Sequence, residues 1–162
     1  MAGYGTNQGF RDYALLAGHV VSDDTTEEKI TAARNRGALA IDRFEPRLSG
    51  HRTGGFAQER AWPRTGAVTQ WGEPIGDNEI PAAIVSASYE ASWLELTNPG
   101  SLSPVIVGSE QVKREKVGPL EIEYAASASV ADLVALATPV VTAIETMLWP
   151  FLMPRMPGIM VV

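Results

Sequence analysis

Asp77-Asn78-Glu79-Ile80-Pro81-Ala82-Ala83-Ile84-Val85-Ser86-Ala87-Ser88-Tyr89-Glu90-Ala91-Ser92-Trp93-Leu94-Glu95-Leu96-Thr97-Asn98-Pro99-Gly100 reads as one helix with its start and stop signals attached. Ile84, Ala87, Ala91 and Leu94 recur at three- and four-residue spacing and form a stripe, which is the 3.6-residue period of a helix. Tyr89, Trp93 and Leu96 widen that stripe. Asp77 or Asn78 is the expected cap, and Pro81 falls near the first turn, where its missing N–H costs nothing. Asn98-Pro99-Gly100 stops the helix.

Toward the N-terminus two further helices are expected. Residues 7–18 read as a short one, with Phe10, Tyr13 and Leu16 or Ala17 on one face and Gly18 as its stop. In Ser22-Asp23-Asp24-Thr25-Thr26-Glu27-Glu28, Asp24 or Thr25 can cap a second helix, with Glu27 or Glu28 at the capping-box position. Ile30, Ala33, Ala40, Ile41 and Phe44 then recur at helical spacing as far as Pro46. Residues 45–78 lose that period. Gly, Pro, Thr and Arg dominate there, and so long a stretch without regular elements is usually functional or disordered. Phe56, Trp62 and Trp71 argue for order, giving a long loop pinned by its aromatics.

Toward the C-terminus the period changes to two. Val105 to Val107 are β-branched, Gln111 to Lys116 alternate, and Leu120, Ile122 and Tyr124 alternate with Glu121 and Glu123. Gly118-Pro119 marks a turn between the last two runs, so a β element over 104–124 is expected, with Lys113 and Lys116 near Glu121 and Glu123. Ser127 or Ser129 could open a helical turn around Leu133. Thr138-Pro139 reads as the start of a last helix with Val140, Ile144, Met147, Leu148 and Phe151 on its apolar face. The expected class is α-dominated (α+β): a small helical bundle of three or four helices, a β-hairpin element, a long ordered loop and an extended C-terminal arm.

Composition narrows the chemistry. At 162 residues the chain fits one domain, able to bury roughly two-thirds of its surface without metal or disulfide staples. It has no cysteine, which excludes a disulfide framework, a thiolate zinc site and a cysteine nucleophile. The N-terminus has neither the basic region nor the apolar run of a signal peptide. Asp132, Glu145, Arg155 and several prolines interrupt the apolar C-terminal stretch, whereas a membrane span needs about 18 or more apolar residues in a row. His19 and His51 lie in different contexts with no partner at metal spacing. No nucleophile elbow, phosphate loop or dinucleotide fingerprint occurs. No catalytic, cofactor or metal residue is therefore assigned, and the expectation is a protein that is not an enzyme.

Charge is segregated. Arg34, Arg36, Arg43, Arg47, Arg52, Arg60 and Arg64 face only Asp42, Glu45 and Glu59 in their stretch, while Glu73, Asp77, Glu79, Glu90, Glu95 and Glu110 follow without a basic residue among them. A solvated surface with internal ion pairs explains this blandly. Two functional readings compete with it. The Arg-rich loop with Phe56, Trp62 and Trp71 could bind single-stranded nucleic acid by phosphate contact and base stacking. Alternatively Arg43, Arg47, Arg52, Arg60 and Arg64 of one copy meet Glu90 and Glu95 of the next, as in a head-to-tail ring. The net charge of −6 and the preference for Arg over Lys favour the second. The end of the chain, Trp149 to Val162, is almost wholly apolar and broken by prolines. It either completes the core or serves as an arm that docks in a groove of a partner, since large apolar patches mark interfaces.

Ala61-Trp62-Pro63-Arg64-Thr65-Gly66, preceded by His51-Arg52-Thr53, resembles a family of tailed-phage proteins. So do Ile80-Pro81 opening a helix with Glu90-Ala91, and Val112-Lys113-Arg114-Glu115-Lys116-Val117-Gly118-Pro119-Leu120-Glu121-Ile122-Glu123-Tyr124. Such sequences often carry the label DnaT-like single-stranded-DNA-binding protein, and they are similar to head-completion or head-to-tail adaptor proteins. The resemblance covers roughly residues 25–153. It implies an adaptor domain over 1–153 and an apolar arm over 154–162. It also implies a homo-oligomeric, dodecameric ring beneath the portal, and stopper or tail proteins on the opposite side. DNA would pass through the ring without specific binding, and no membrane would be involved. The protein would be made in the host cytoplasm and end in the virion neck. Portal contact falls to Trp149, Phe151, Leu152, Met153, Met156, Ile159 and Met160. The alternative is a single-stranded-DNA-binding accessory protein of phage replication using the Arg loop and Trp62.

Overall fold

The computed structural model describes residues 3–102 and 142–154 in full, and the backbone of 115–117 and 120–122. Four helices dominate: α1 (Asn7–Leu16), α2 (Glu27–Asp42), α3 (Ala82–Thr97) and α4 (residues 142–148). Two antiparallel strand pairs accompany them, β1 (His51–Arg52) with β2 (Arg64–Thr65), and β3 (Glu115–Val117) with β4 (Leu120–Ile122). The fold is α-dominated α+β.

The helix ends follow local chemistry, though not always at the expected residue. Thr6 caps α1, its Oγ1 accepting from Gly9 N at 2.9 Å. Thr26, rather than Asp24 or Thr25, caps α2 by accepting from Lys29 N. Glu27 and Glu28 then lie in the first turn, where the helix dipole favours them. Pro81 itself takes the N-cap position of α3 and no side chain caps it. Asp77 instead accepts from Gly66 N and, through its carbonyl, from Thr53 Oγ1, tying the loop rather than the helix. α2 ends at Asp42, and a 3-10 turn over Glu45–Arg47 follows.

α3 lies at the centre. Ile84, Ala87, Ser88, Tyr89, Ala91, Ser92, Leu94 and Glu95 are all buried, so nearly every face of the helix is covered. α2 packs along it, and α1 crosses both. The α2–α3 approach is close because small residues meet there. A Cβ on Gly37 would come within 2.3 Å of Ser92 Oγ and 2.6 Å of the Ser88 carbonyl oxygen. Both serines are fully buried, and Ser92 Oγ donates to the Ser88 carbonyl one turn back. Phe10, Ile30 and Tyr89 form a small core between the three helices. On α1 the buried face is Phe10 and Ala14, so Leu16 and Ala17 point outward, contrary to the expected stripe.

The larger core joins Tyr4, Ile41, Leu48, Trp62, Ile84, Ile144, Leu148 and Leu152. It draws residues 45–78 inward. That stretch is ordered as expected, but it carries the β1–β2 pair, which its irregular sequence did not announce. Trp62 alone of the loop aromatics pins it, at 2% exposure, whereas Phe56 and Trp71 face solvent. In the second strand pair the register sets Lys116 across from Glu121. Lys113 and Glu123, and the expected features around Leu133 and Thr138, lie outside the described residues.

Candidate interaction surface

The N-terminal segment, the end of α2 and the loop meet at a polar node. Tyr4 Oη donates to Asp42 Oδ1 and accepts from Trp62 N at 3.2 Å. The same carboxylate accepts from Ala61 N, and its second oxygen accepts from Arg60 at 3.1 Å. Burial, and then the Asp42 carboxylate, push the Tyr4 phenol above its ordinary pKa, so it stays a donor. Gly5 closes the segment over α3. Its φ is +68°, and a Cβ there would overlap the Tyr89 hydroxyl, which accepts from Thr6 N.

Arginine is the main fastener. The Arg34 guanidinium is buried and donates to the carbonyls of Gly3, Tyr4 and Gly5 and to Asn7 Oδ1. Arg64, 4% exposed, donates to the carbonyls of Ser49, Gly50 and Ala61 and to Glu45. Arg52 forks onto both oxygens of Glu45. Those hydrogen bonds, chiefly from Arg52, hold the Glu45 carboxyl below its ordinary pKa against the opposing effect of burial.

Most residues assigned to inter-subunit charge contacts have partners within the chain. Arg52, Arg60 and Arg64 are engaged with Glu45 and Asp42 inside the chain. Glu95 pairs with Arg36 and accepts from Gly100 N. Glu90 accepts from Tyr13 Oη at 2.9 Å and meets His19 Nε2 at 3.0 Å, with His19 stacked on Trp93. Arg52, Arg60 and Arg64 thus pair with the carboxylates of their own stretch, and Arg36 reaches Glu95 of the acidic one. Arg43 is exposed and donates to the Leu102 carbonyl, and Arg47 is half-buried.

The portal-contact set is divided likewise. Leu152 is 4% exposed and bridges to Leu48. Phe151 packs edge-on against Trp62 with ring centroids 6.2 Å apart, and Met153 N donates to the Arg47 carbonyl. Leu152 and Phe151 complete the core, because the apolar face of α4 continues into them, and Met153 beside them is half-buried. Trp149 alone of the described members is largely solvent-facing, at 54%. Met156, Ile159 and Met160 lie outside the described residues.

Among the described residues, two apolar patches face solvent. Trp71 and Trp149 meet edge to face with centroids 5.5 Å apart, and Gln70 N donates to the Pro150 carbonyl beneath them. A shallow cleft beside the pair is lined by Thr142, Glu145, Thr146 and Trp149. At the end of α1, Leu15, Leu16 and Val20 are each about four-fifths or more exposed. Sequence reading missed both patches. Trp71 was placed as a pin of the loop although its neighbours Gln70, Gly72 and Glu73 are polar or small, which is the signal that it faces outward. Among the described residues no three His, Asp or Glu side chains gather as a metal site, and no helix is long and apolar enough to cross a membrane.

A family model described as "Putative DnaT-like ssDNA binding protein" matches residues 2–162. The chain belongs to this family. No curated protein and no solved structure matches it. In this DnaT-like chain the Trp62-Pro63-Arg64 motif is structural, since Trp62 fills the core and Arg64 binds three backbone carbonyls under it. Trp71, Trp149 and Phe56, not Trp62, are the solvent-facing large aromatics of the DnaT-like chain among the described residues.

Proposed function

We propose that the protein is a non-catalytic assembly subunit, a head-to-tail adaptor of a tailed phage that forms a homo-oligomeric ring in the virion neck. The observation that carries this reading is a contrast. Arg52, Arg60 and Arg64 of the loop are committed to carboxylates and carbonyls of their own chain, while Leu15, Leu16, Val20, Trp71 and Trp149 face solvent. Ion pairs closed within the chain leave little to hold DNA, and exposed apolar patches mark protein interfaces. The motif resemblance supplies the setting, with the portal on one side, stopper or tail proteins on the other, and DNA passing through the channel.

The family description favours a second reading, single-stranded-DNA binding. The Trp71–Trp149 pair is the platform it would use, since bases stack on exposed aromatics. Glu145 lines the cleft beside Trp149, and Glu73 stands two residues from Trp71. Both oppose a phosphate backbone there. Light scattering joined to fluorescence anisotropy on a labelled single-stranded oligonucleotide, at two salt concentrations, separates the readings. Self-association without salt-sensitive DNA binding is expected. Tight binding that falls steeply with salt, and is lost in Trp71→Ala, would replace the adaptor with the DNA-binding protein.

A further inference from the structure

We infer that the Trp71–Trp149 face is the docking site for residues 154–162 of a second copy of this chain. The inference deepens the assembly reading and rests on it. The face has three chemical elements. Two indole rings stand edge to face in solvent, 63% and 54% exposed. The cleft beside them is lined on one helical face of α4 by Thr142, Glu145, Thr146 and Trp149. Glu145 is exposed on that face, so a negative charge lies at the edge of an aromatic platform.

The sequence supplies a segment of matching chemistry. Pro154-Arg155-Met156-Pro157 carries two prolines at the Pro-x-x-Pro spacing, and Gly158-Ile159-Met160-Val161-Val162 follows. Prolines at that spacing favour polyproline II, and aromatic-lined grooves recognise such segments because little conformational freedom is lost on binding. Arg155 lies between the prolines and is the only charged residue of the segment. Its guanidinium complements Glu145 and can lie on an indole face. Met156 and Met160 suit the uneven apolar surface between two edge-to-face rings.

A second copy is the occupant because of how the segment leaves its own chain. Leu152 is bridged to Leu48, and Met153 N is held by the Arg47 carbonyl, so the chain is fixed up to Pro154. Reaching Trp149 of the same chain requires an immediate reversal. A stiff Pro-x-x-Pro run resists it, and the first glycine that would permit one is Gly158. In the polyproline II conformation that the prolines favour, nine residues would span about 28 Å.

Sedimentation velocity and tryptophan emission of the full chain test this with Glu145→Arg, Arg155→Glu and the double exchange. Wild type is expected to self-associate, each single variant to weaken association by about tenfold, and the double variant to recover most of it. Such recovery is not expected of a misfolded protein. Trp71→Ala, on an exposed ring, is expected to weaken association with an unchanged melting temperature. If wild type associates and neither single variant matters, the docking is overturned and the assembly reading stands. A wild type that remains a monomer at all concentrations overturns both. Single variants that shift tryptophan emission at unchanged mass would place the segment on its own chain and overturn docking between copies.

Discussion

Gly37 and Glu45 show how much single positions determine. A methyl group on Gly37 would collide with Ser92 Oγ, Ser92 N and the Ser88 carbonyl. Alanine is the better helix former by about 1 kcal/mol, yet Gly37→Ala is expected to destabilise the protein by about 1–3 kcal/mol through overpacking. Urea unfolding checks this, and a stabilised variant would mean that α2 and α3 separate readily. Glu45 acts through charge. Its folded pKa lies below the ordinary value, so its pairing with Arg52 and Arg64 stabilises the fold above the unfolded carboxylate pKa. That contribution is lost as pH falls through the depressed folded value. Glu45→Gln is expected to flatten the acid side of the stability–pH curve, read from urea midpoints at several pH values. Arg52→Glu sets a carboxylate against Glu45 in place of the fork. It is expected to lower the melting temperature even where self-association is absent, which separates an internal role from an inter-subunit one.

At the scale of elements, the last described turn belongs to the core. α4 buries Ile144 and Leu148, and Leu152 continues that face across the Trp149–Phe151 turn to meet Leu48. Leu152→Ala is therefore expected to cost about 2–5 kcal/mol, as for other buried leucines. A loss under about 0.5 kcal/mol, the range of surface substitutions, would instead make residues 149–154 an arm. The cap of α1 offers a smaller test. Thr6→Ala removes the acceptor for Gly9 N and is expected to cost about 1 kcal/mol in thermal unfolding. These elements were legible to different degrees. α2 and α3 announced themselves because a covered helix face repeats every three to four residues. The β1–β2 pair could not be read, since each strand has only two residues and is held by arginine side chains rather than by an alternating pattern.

For the whole molecule, the proposed assembly would rest chiefly on the apolar patches, since Arg52, Arg60 and Arg64 are paired with carboxylates of their own chain. Self-association is expected to weaken between 0.05 and 0.5 M salt by no more than the roughly tenfold that loss of the Glu145–Arg155 pair would cost, because screening acts on exposed charges and not on buried apolar area. Sedimentation at the two salt concentrations reads it, and a much steeper loss would mean that charge pairs beyond that one hold the copies together. By itself the sequence determined the α-dominated class, the two long apolar periods of α2 and α3, the strand pair around Gly118-Pro119, and the order of the Trp62 loop. Periodicity and turn chemistry are local, and local pattern survives in one dimension. Only the tertiary structure decided which arginines are partners of which carboxylates, that Trp62 is core while Trp71 is surface, and that Phe151 and Leu152 close the domain. Those outcomes depend on which distant segments meet, and a residue's type does not say what will cover it.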